Sequence, residues 1–175
     1  QLMTPTINVV SFDPSLRNWG IAFIEYSPNS IKPLAVDIIQ TAPLKKTKLS
    51  KAQEDMLCID TLIQGIQPCL LDADVVVVEL PTGSQNSRGA VGYGICLALV
   101  ASLPLPCLYV TPNQVKKVVG TNKATKDEII DWVNNLHPGI LPKNKSKANH
   151  QADAIVAAYA AEPQLRKFYE TIIDG

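Results

Sequence analysis

The chain has 175 residues, 46% of them hydrophobic, which is enough to bury one core, and this length favours a single domain. Sixteen Lys and Arg residues balance sixteen Asp and Glu residues, so the net charge gives no argument for a nucleic-acid partner. We therefore expect residues 1–175 to form one domain, and any basic surface must come from the distribution of charge along the chain.

Four cysteines lie in apolar surroundings without a CxxC pair or a histidine at metal-ligand spacing, which argues against a zinc site. They are Cys58, Cys69, Cys96 and Cys107. We expect buried thiols in a reducing compartment. The N-terminal residues lack the layout of a secretory signal, and the longest apolar stretch, residues 95–109, is broken by a serine and two prolines. These features predict a soluble cytoplasmic protein without membrane contact.

The first part of the chain contains three predicted strands and one helix. Branched and aromatic residues between Pro, Ser and Asn clusters predict strands at residues 7–12, 19–25 and 34–40, and short connections make them an antiparallel meander. A helix is predicted from the N-cap Ser50 to about residue 67. The core face expected for this helix consists of Met56, Ile59, Leu62, Ile63 and Ile66.

The rest of the chain alternates strands with helices. Residues 75–78 are four valines, apolar on both faces as in the interior of a mixed or parallel sheet. A turn-rich segment, PTGSQNSRG, precedes a predicted helix at residues 90–103 and a fifth strand, CLYV. Further helices are predicted at residues 112–119, 126–136 and 147–161. The order predicts an α/β fold whose five-stranded mixed sheet, with three antiparallel and two parallel strands, is flanked by helices.

Two predicted strands each end on an acidic residue that is closely followed by proline. Asp13 ends the first strand and Glu79 ends the four-valine strand. An acid at a strand end is often only a turn former or a cap. Glu79 is harder to explain in that way, because glutamate is unfavourable in strands and costly to bury unpaired. If the two strands are neighbours, both carboxylates lie within reach of one metal ion.

The last predicted helix carries two further polar groups, His150 and Asp153, in the sequence HQADA. Residues three apart project from one helix face, and the small residues that follow let the helix approach the sheet closely. The alternative is an ordinary acid favoured by the helix dipole. Carboxylate-rich sets suit Mg²⁺ or Mn²⁺, and two such ions about 4 Å apart promote phosphodiester cleavage. We expect His150 to ligate one ion or to orient the attacking water.

Four motifs, in order and spacing, resemble the RuvC family of Holliday-junction resolvases: SFDPSLRNWGIA, VVVVEL, TPNQVKKVVGTNKATKDEIIDWV and HQADAIVAAYA. The resemblance implies an RNase H-like nuclease domain and a homodimer that nicks two strands of a four-way DNA junction symmetrically. It also implies a metal site formed by Asp13, Glu79, His150 and Asp153. The chain departs from the family after Glu79, where LPTGSQNSRG stands in place of the aromatic residue with which familiar resolvases wedge the junction.

Lysines outnumber acids between residues 116 and 147, which predicts a phosphate-contacting surface. The lysines are Lys116, Lys117, Lys123, Lys126, Lys143, Lys145 and Lys147. A solvated helical face is the alternative. Arg88, after the acidic strand, is another candidate for a phosphate contact. A second run, LKKTKLSK at residues 44–51, ranks lower, because cations at a helix start oppose its dipole and such a run is often simply exposed.

The predicted activity is metal-dependent resolution of four-way junctions. The main alternative is a less selective RNase H-like nuclease that cuts branched DNA, flaps or RNA–DNA hybrids, and an inactive junction binder is another. An actin-like ATPase shares the Asp-ended first strand, but its duplicated domain needs a longer chain. The helix at residues 90–103 is apolar nearly all round, which predicts a dimer contact or, alternatively, a fully buried core helix.

Overall fold

The computed structural model describes residues 3–43 and 45–175, and within them five strands and six helices. The strands are β1 (Ile7–Asp13), β2 (Asn18–Ser27), β3 (Ser30–Gln40), β4 (Val75–Glu79) and β5 (Cys107–Val110). The helices are α1 (Lys51–Cys69), α2 (Ser87–Ala101), α3 (Pro112–Val119), α4 (Lys126–Leu136), α5 (Lys145–Ala160) and α6 (Glu162–Asp174). None of these helices combines the length and apolar character that crossing a bilayer requires.

The strands form one mixed sheet in the order β3-β2-β1-β4-β5. The first three pair antiparallel, whereas β4 runs parallel to both β1 and β5. The predicted α/β class and the predicted mixture of strand directions are therefore confirmed. The four valines of β4 are completely buried, as expected for a strand with neighbours on both edges and helices over both faces.

Alternating side chains of the sheet supply two hydrophobic clusters, one on each face. Val9 of β1 and the alanine-rich part of α5 belong to the cluster that also includes α3, α4 and α6. Val10 and Phe12 point the other way, into a cluster with α1 and α2. Because successive strand residues face opposite sides, Ser11 and Asp13 share the α5 face with Val9.

Local capping explains where several helices begin. Ser50 caps α1 as predicted, through a capping box with Gln53. Helix α2 begins at Ser87 rather than at residue 90, because Asn86 accepts a hydrogen bond from the backbone N–H of Gly89. Asn144 caps α5 in the same way, and this helix begins at Lys145, two residues before the predicted start. Helix α6 was not predicted from the sequence pattern.

The predicted core face of α1 is partly wrong. Met56 is 68% exposed and Ile63 is 36% exposed, whereas the residues buried along this helix are Cys58, Leu62, Ile66 and Cys69. The buried stripe is rotated toward the two cysteines, which behave as small apolar residues. Cys58, Cys69 and Cys96 are buried free thiols, as expected, and Cys107 is a half-buried one.

Candidate active site

Strand pairing brings the two strand-end acids together. In the parallel ladder of β1 and β4, Phe12 pairs with Val78, so Asp13 and Glu79 follow at the same edge of the sheet. Both carboxylates also point to the same face, because Asp13 alternates with Phe12 and Glu79 alternates with Val78, two residues that face the α1 and α2 side. The face that remains for the carboxylates is the one covered by α5.

Helix α5 contributes His150 and Asp153 over the same strand ends. Its approach depends on Gly20 of β2, which lies opposite Asp13 in the antiparallel ladder. A Cβ atom at Gly20 would collide with the backbone carbonyl of His150. The absence of a side chain at Gly20 therefore sets how closely α5 can lie against the sheet beside Asp13. The sequence pattern did not single out this residue, although the glycine lies in the SFDPSLRNWGIA motif.

Three of the four predicted site residues form one cluster. One carboxylate oxygen each from Asp13, Glu79 and Asp153 lie within 4.8 Å of one another. His150 is outside this triangle but contacts it, since its Nδ1 lies 3.2 Å from Oδ2 of Asp13. This contact is a hydrogen bond when either Nδ1 of His150 or Oδ2 of Asp13 carries a proton.

Burial and mutual repulsion make the three carboxylates expensive to ionise. Burial raises the pKa of Asp13 well above its usual value, and the charge of Asp153 adds to this effect. The pKa of Glu79 is raised by burial and by the neighbouring Asp13. Burial raises the pKa of Asp153 to about 6, against the opposing influence of His150, Lys126 and Lys116. Buried acids of this kind need a positive partner to stay charged near neutral pH.

The donor chemistry of the cluster fits a divalent cation. Oε2 of Glu79 is buried and has no hydrogen-bond partner within the described chain. Three carboxylates and an adjacent imidazole are the type of ligand set that suits Mg²⁺ or Mn²⁺. Burial lowers the pKa of His150, so its ring is neutral near pH 7 and keeps a lone pair for a metal or a proton.

A groove of about 470 Å³ leads from the surface to Asp13 and Glu79. Its walls come from the turn after β1, the segment after β4 and the first turns of α2. Arg88 lies in this wall, as expected for a residue near the site, but its guanidinium already binds Asp55 of α1 at 3.1 and 3.4 Å. Predicted as part of a loop, Arg88 in fact belongs to α2.

The predicted lysines differ in their surroundings. Lys116 of α3 and Lys126 of α4 are close enough for their charges to lower the pKa of Asp153. Lys117 and Lys123 are exposed and have no ion-pair partner within the described chain. Lys145 differs, because it pairs with Asp127 at 3.6 Å on the surface. Positive charge therefore borders the carboxylates on the α3 and α4 side.

Comparison with known proteins agrees with this geometry. The family model of the crossover junction endodeoxyribonuclease RuvC matches residues 9–160. Curated RuvC proteins from Ruegeria pomeroyi and Granulibacter bethesdensis are 28% and 29% identical to the chain over 165 and 161 residues. These matches cover 90% and 88% of this chain and 94% and 86% of the relatives.

Two solved structures have the same fold. Thermus thermophilus RuvC, in complex with a Holliday junction substrate, has a TM-score of 0.65 at 21% identity, covering 90% of this chain and 96% of that one. Fowlpox virus resolvase, in complex with substrate Holliday junction DNA, has a TM-score of 0.54 at 16% identity, covering 91% of this chain and 99% of that one. The RNase H-like architecture expected from the motifs is confirmed. Because the family model matches most of this chain, the chain belongs to the RuvC family of crossover junction endodeoxyribonucleases.

Proposed function

We propose that this protein is a structure-selective endonuclease that resolves four-way DNA junctions by metal-dependent phosphodiester hydrolysis, within one nuclease domain formed by residues 1–175. The observation that carries the proposal is the convergence of Asp13, Glu79 and Asp153 within 4.8 Å at one sheet edge. Two structural neighbours are complexes with Holliday junction DNA, and family membership supports the same substrate class here.

Each site residue has a distinct proposed role. Asp13, Glu79 and Asp153 hold Mg²⁺ or Mn²⁺, which we propose to number two per site. When bound, these cations neutralise the buried carboxylates and lower the pKa of water enough for attack on phosphorus. His150 completes the ligand set or takes a proton from the attacking water, and its contact with Asp13 holds the imidazole in one orientation.

Basic side chains on both sides of the carboxylates are proposed to bind the DNA backbone. Lys116 and Lys126 lie next to the site, and Lys117 and Lys123 extend the same surface. Arg88 lines the groove while Asp55 holds its guanidinium in place. Lysines act on phosphates as point charges and do not read bases, which suits a nuclease that selects DNA by its shape.

A less selective nuclease that cuts flaps, branched DNA or RNA–DNA hybrids remains the second candidate, because the same carboxylate set serves all of these substrates. The deciding experiment incubates the protein with labelled four-way junction, flap, linear duplex and hybrid in Mg²⁺ or Mn²⁺. Paired nicks in the junction and little cleavage of the others would support the proposal. Equal cleavage of all four substrates would favour the alternative, and no cleavage of any would contradict both.

We further propose a homodimer built on α2, because two identical sites related by a two-fold axis match the two strands to be cut. Cys96, Leu99 and Val100 of α2 are buried in the core, so the helix is not free on all sides. The exposed side carries Val91 and Ala98. Val91→Glu with Ala98→Glu should convert a dimer to a monomer in light scattering. A wild-type monomer that makes paired nicks would contradict this interface.

A cytoplasmic location is part of the proposal. It is supported by the four thiols, which are unpaired among the described residues and are typical of a reducing compartment.

A further inference from the structure

A second basic surface lies in the loop between β3 and α1. Lys45, Lys46 and Lys48 are exposed there, and none of them has an ion-pair partner within the described chain. Lys51, at the start of α1, differs because it pairs with Glu54 at 3.2 Å. Leu44, in the same lysine-rich run, is outside the described residues. We call Lys45, Lys46 and Lys48 the loop lysines.

We propose that the loop lysines bind the backbone of the DNA arm that enters the catalytic groove from the α1 side. This inference rests on the proposed function and adds to it a contact surface separate from the lysines of α3 and α4. The occupant is a nucleic-acid duplex, because unpaired ammonium groups on an exposed loop recognise a chain of phosphates without needing any base contact.

Hydrogen bonds tie the base of the loop to the turn that follows Asp13. The backbone N–H of Thr41 donates to the carbonyl of Arg17 at 3.1 Å, and the Arg17 guanidinium donates back to the Thr41 carbonyl at 3.0 Å. Arg17 itself lines the groove that leads to Asp13. The start of the loop is therefore anchored to the wall of the groove, and the loop lysines follow Thr41 after a few residues.

The far end of the loop is connected to the part of the groove wall that α2 forms. Lys51 and Arg88 both pair with Asp55, so the start of α1 is bound to the start of α2. With the Lys51–Glu54 pair, these contacts engage both nearby acids, Glu54 and Asp55, and neither acid pairs with a loop lysine. The positive charge of the loop lysines is available to an external anion.

The position of the loop relative to the sheet separates it from the α3 and α4 lysines. Gln40, the last residue of β3, pairs with Asn18 at the edge of the sheet where Asp13 ends β1. Strand β3 and strand β5, which leads into α3, are the two outer strands. Strands spaced about 4.8 Å apart place β3 and β5 roughly 19 Å apart. Positive charge thus flanks the carboxylates on both sides, and the two surfaces meet DNA on opposite sides of the cut.

The loop is also costly for the protein in isolation. Lys46 adopts a left-handed backbone with φ of 53°, and it is the one non-glycine residue of the described chain with positive φ. Cations just before α1 also oppose the positive end of its dipole. A bound polyanion offsets the second cost directly, because it neutralises the charge that the helix end repels.

The test uses a loop variant that carries both Lys46→Gln and Lys48→Gln. The control variant carries both Lys32→Gln and Lys167→Gln, at lysines that are exposed elsewhere on the fold. Asp153→Asn is present in every protein so that the DNA stays intact. Affinity for a labelled four-way junction is measured against salt, and hydroxyl-radical footprints map the protected arms. We expect the loop variant to weaken binding at least roughly tenfold and to reduce the salt slope by about 2, with the control unchanged.

The footprint distinguishes the outcomes. Protection should be lost on one side of the cleavage position, with protection retained on the side bound by Lys116 and Lys126. An unchanged salt slope in the loop variant, or a uniform loss of protection on both sides, would overturn the inference. In that case, junction binding by the protein with the unmodified loop would still support the proposed function. If the protein with the unmodified loop bound no DNA, the proposed function would fail together with this inference.

Discussion

Nδ1 of His150 lies 3.2 Å from Oδ2 of Asp13, although 137 residues separate the two side chains. The contact joins the start of α5 to the end of β1 and orients the imidazole toward the carboxylate cluster. Asp13 therefore holds His150 in place, and any movement of α5 against the sheet changes the positions of the two side chains relative to each other.

Removing the charge of any one cluster carboxylate should stop cleavage. We expect Asp13→Asn, Glu79→Gln and Asp153→Asn each to lower the cleavage rate by at least about 10³-fold, because each removes an anionic ligand from the cation site. Junction binding should remain largely intact, since phosphate contacts come from the lysines. Single-turnover cleavage and gel-shift assays measure the two effects. Asp174→Asn, an exposed acid near the C terminus, is the control, and full activity in a cluster variant would remove that residue from the site.

The metal-free protein should become less stable as pH rises. Folded-state pKa values of Asp13, Glu79 and Asp153 are raised, so the folded protein binds protons more tightly than the unfolded chain. The resulting stabilisation is complete below the ordinary values of 3.8 to 4.5 and is lost as pH rises through the raised values, through about 6 for Asp153. Urea unfolding in a chelator from pH 4 to 8 measures this decline.

Glu79→Gln should remove part of the free-energy cost of burying these acids at neutral pH. At pH 7.5 without metal, we expect its free energy of unfolding to exceed that of the wild type by roughly 1 to 3 kcal/mol, because a neutral amide replaces a buried acid. Adding Mg²⁺ should stabilise the wild type and narrow the difference. Glu170→Gln, at an exposed position of α6, serves as the control. If the Glu79→Gln protein were less stable than the wild type in chelator, burial of the Glu79 acid would not be destabilising the metal-free protein.

Loss of the imidazole should impair cleavage without abolishing it. His150→Ala is expected to lower the Mg²⁺-supported rate roughly 10²-fold, and Mn²⁺, which tolerates a poorer ligand set, should restore part of it. His137→Gln is the matched histidine control, because its partner, the Tyr159 hydroxyl, lies on the far part of α5. Unaltered kinetics of His150→Ala in Mg²⁺ would exclude His150 from the site.

A methyl group at Gly20 should disturb the site without touching any charged residue. The added Cβ of Gly20→Ala meets the backbone carbonyl of His150, so α5 must shift and carry His150 and Asp153 away from Asp13. We expect at least a tenfold loss of cleavage rate, consistent with the sensitivity of catalysis to small displacements. Gly83→Ala, whose added Cβ meets open space, is the control. Equal activity of the two variants would show that the close approach is unimportant.

Positive charge next to the cluster should determine the salt dependence of DNA binding. Replacing Lys116, Lys117 and Lys126 together by Ala should weaken binding to all DNA forms. The slope of log affinity against log salt should fall in magnitude by about 3. Fluorescence anisotropy between 50 and 200 mM salt is a suitable measurement. Lys167→Ala controls for general loss of charge, and an unchanged slope in the triple variant would exclude this surface.

Much of the fold followed from local pattern. The four valines before Glu79 predicted a strand buried on both faces, and Ser50 predicted a helix start, because hydrophobic periodicity and capping act over a few residues. The acids at the ends of β1 and β4 were identifiable for the same reason. That they meet at one edge follows from their strands being sheet neighbours, which the sequence left as a condition and the strand pairing met.

Other features were decided only by the tertiary structure. The buried stripe of α1 includes Cys58 and excludes Met56, because the choice depends on which surface the sheet presents to the helix. The pairing of Arg88 with Asp55 joins two helices distant in sequence, and no local pattern predicts it. Gly20 shows the same limit most clearly: its residue type was visible in the chain, but the need for it comes from a carbonyl of α5 that only folding brings against β2.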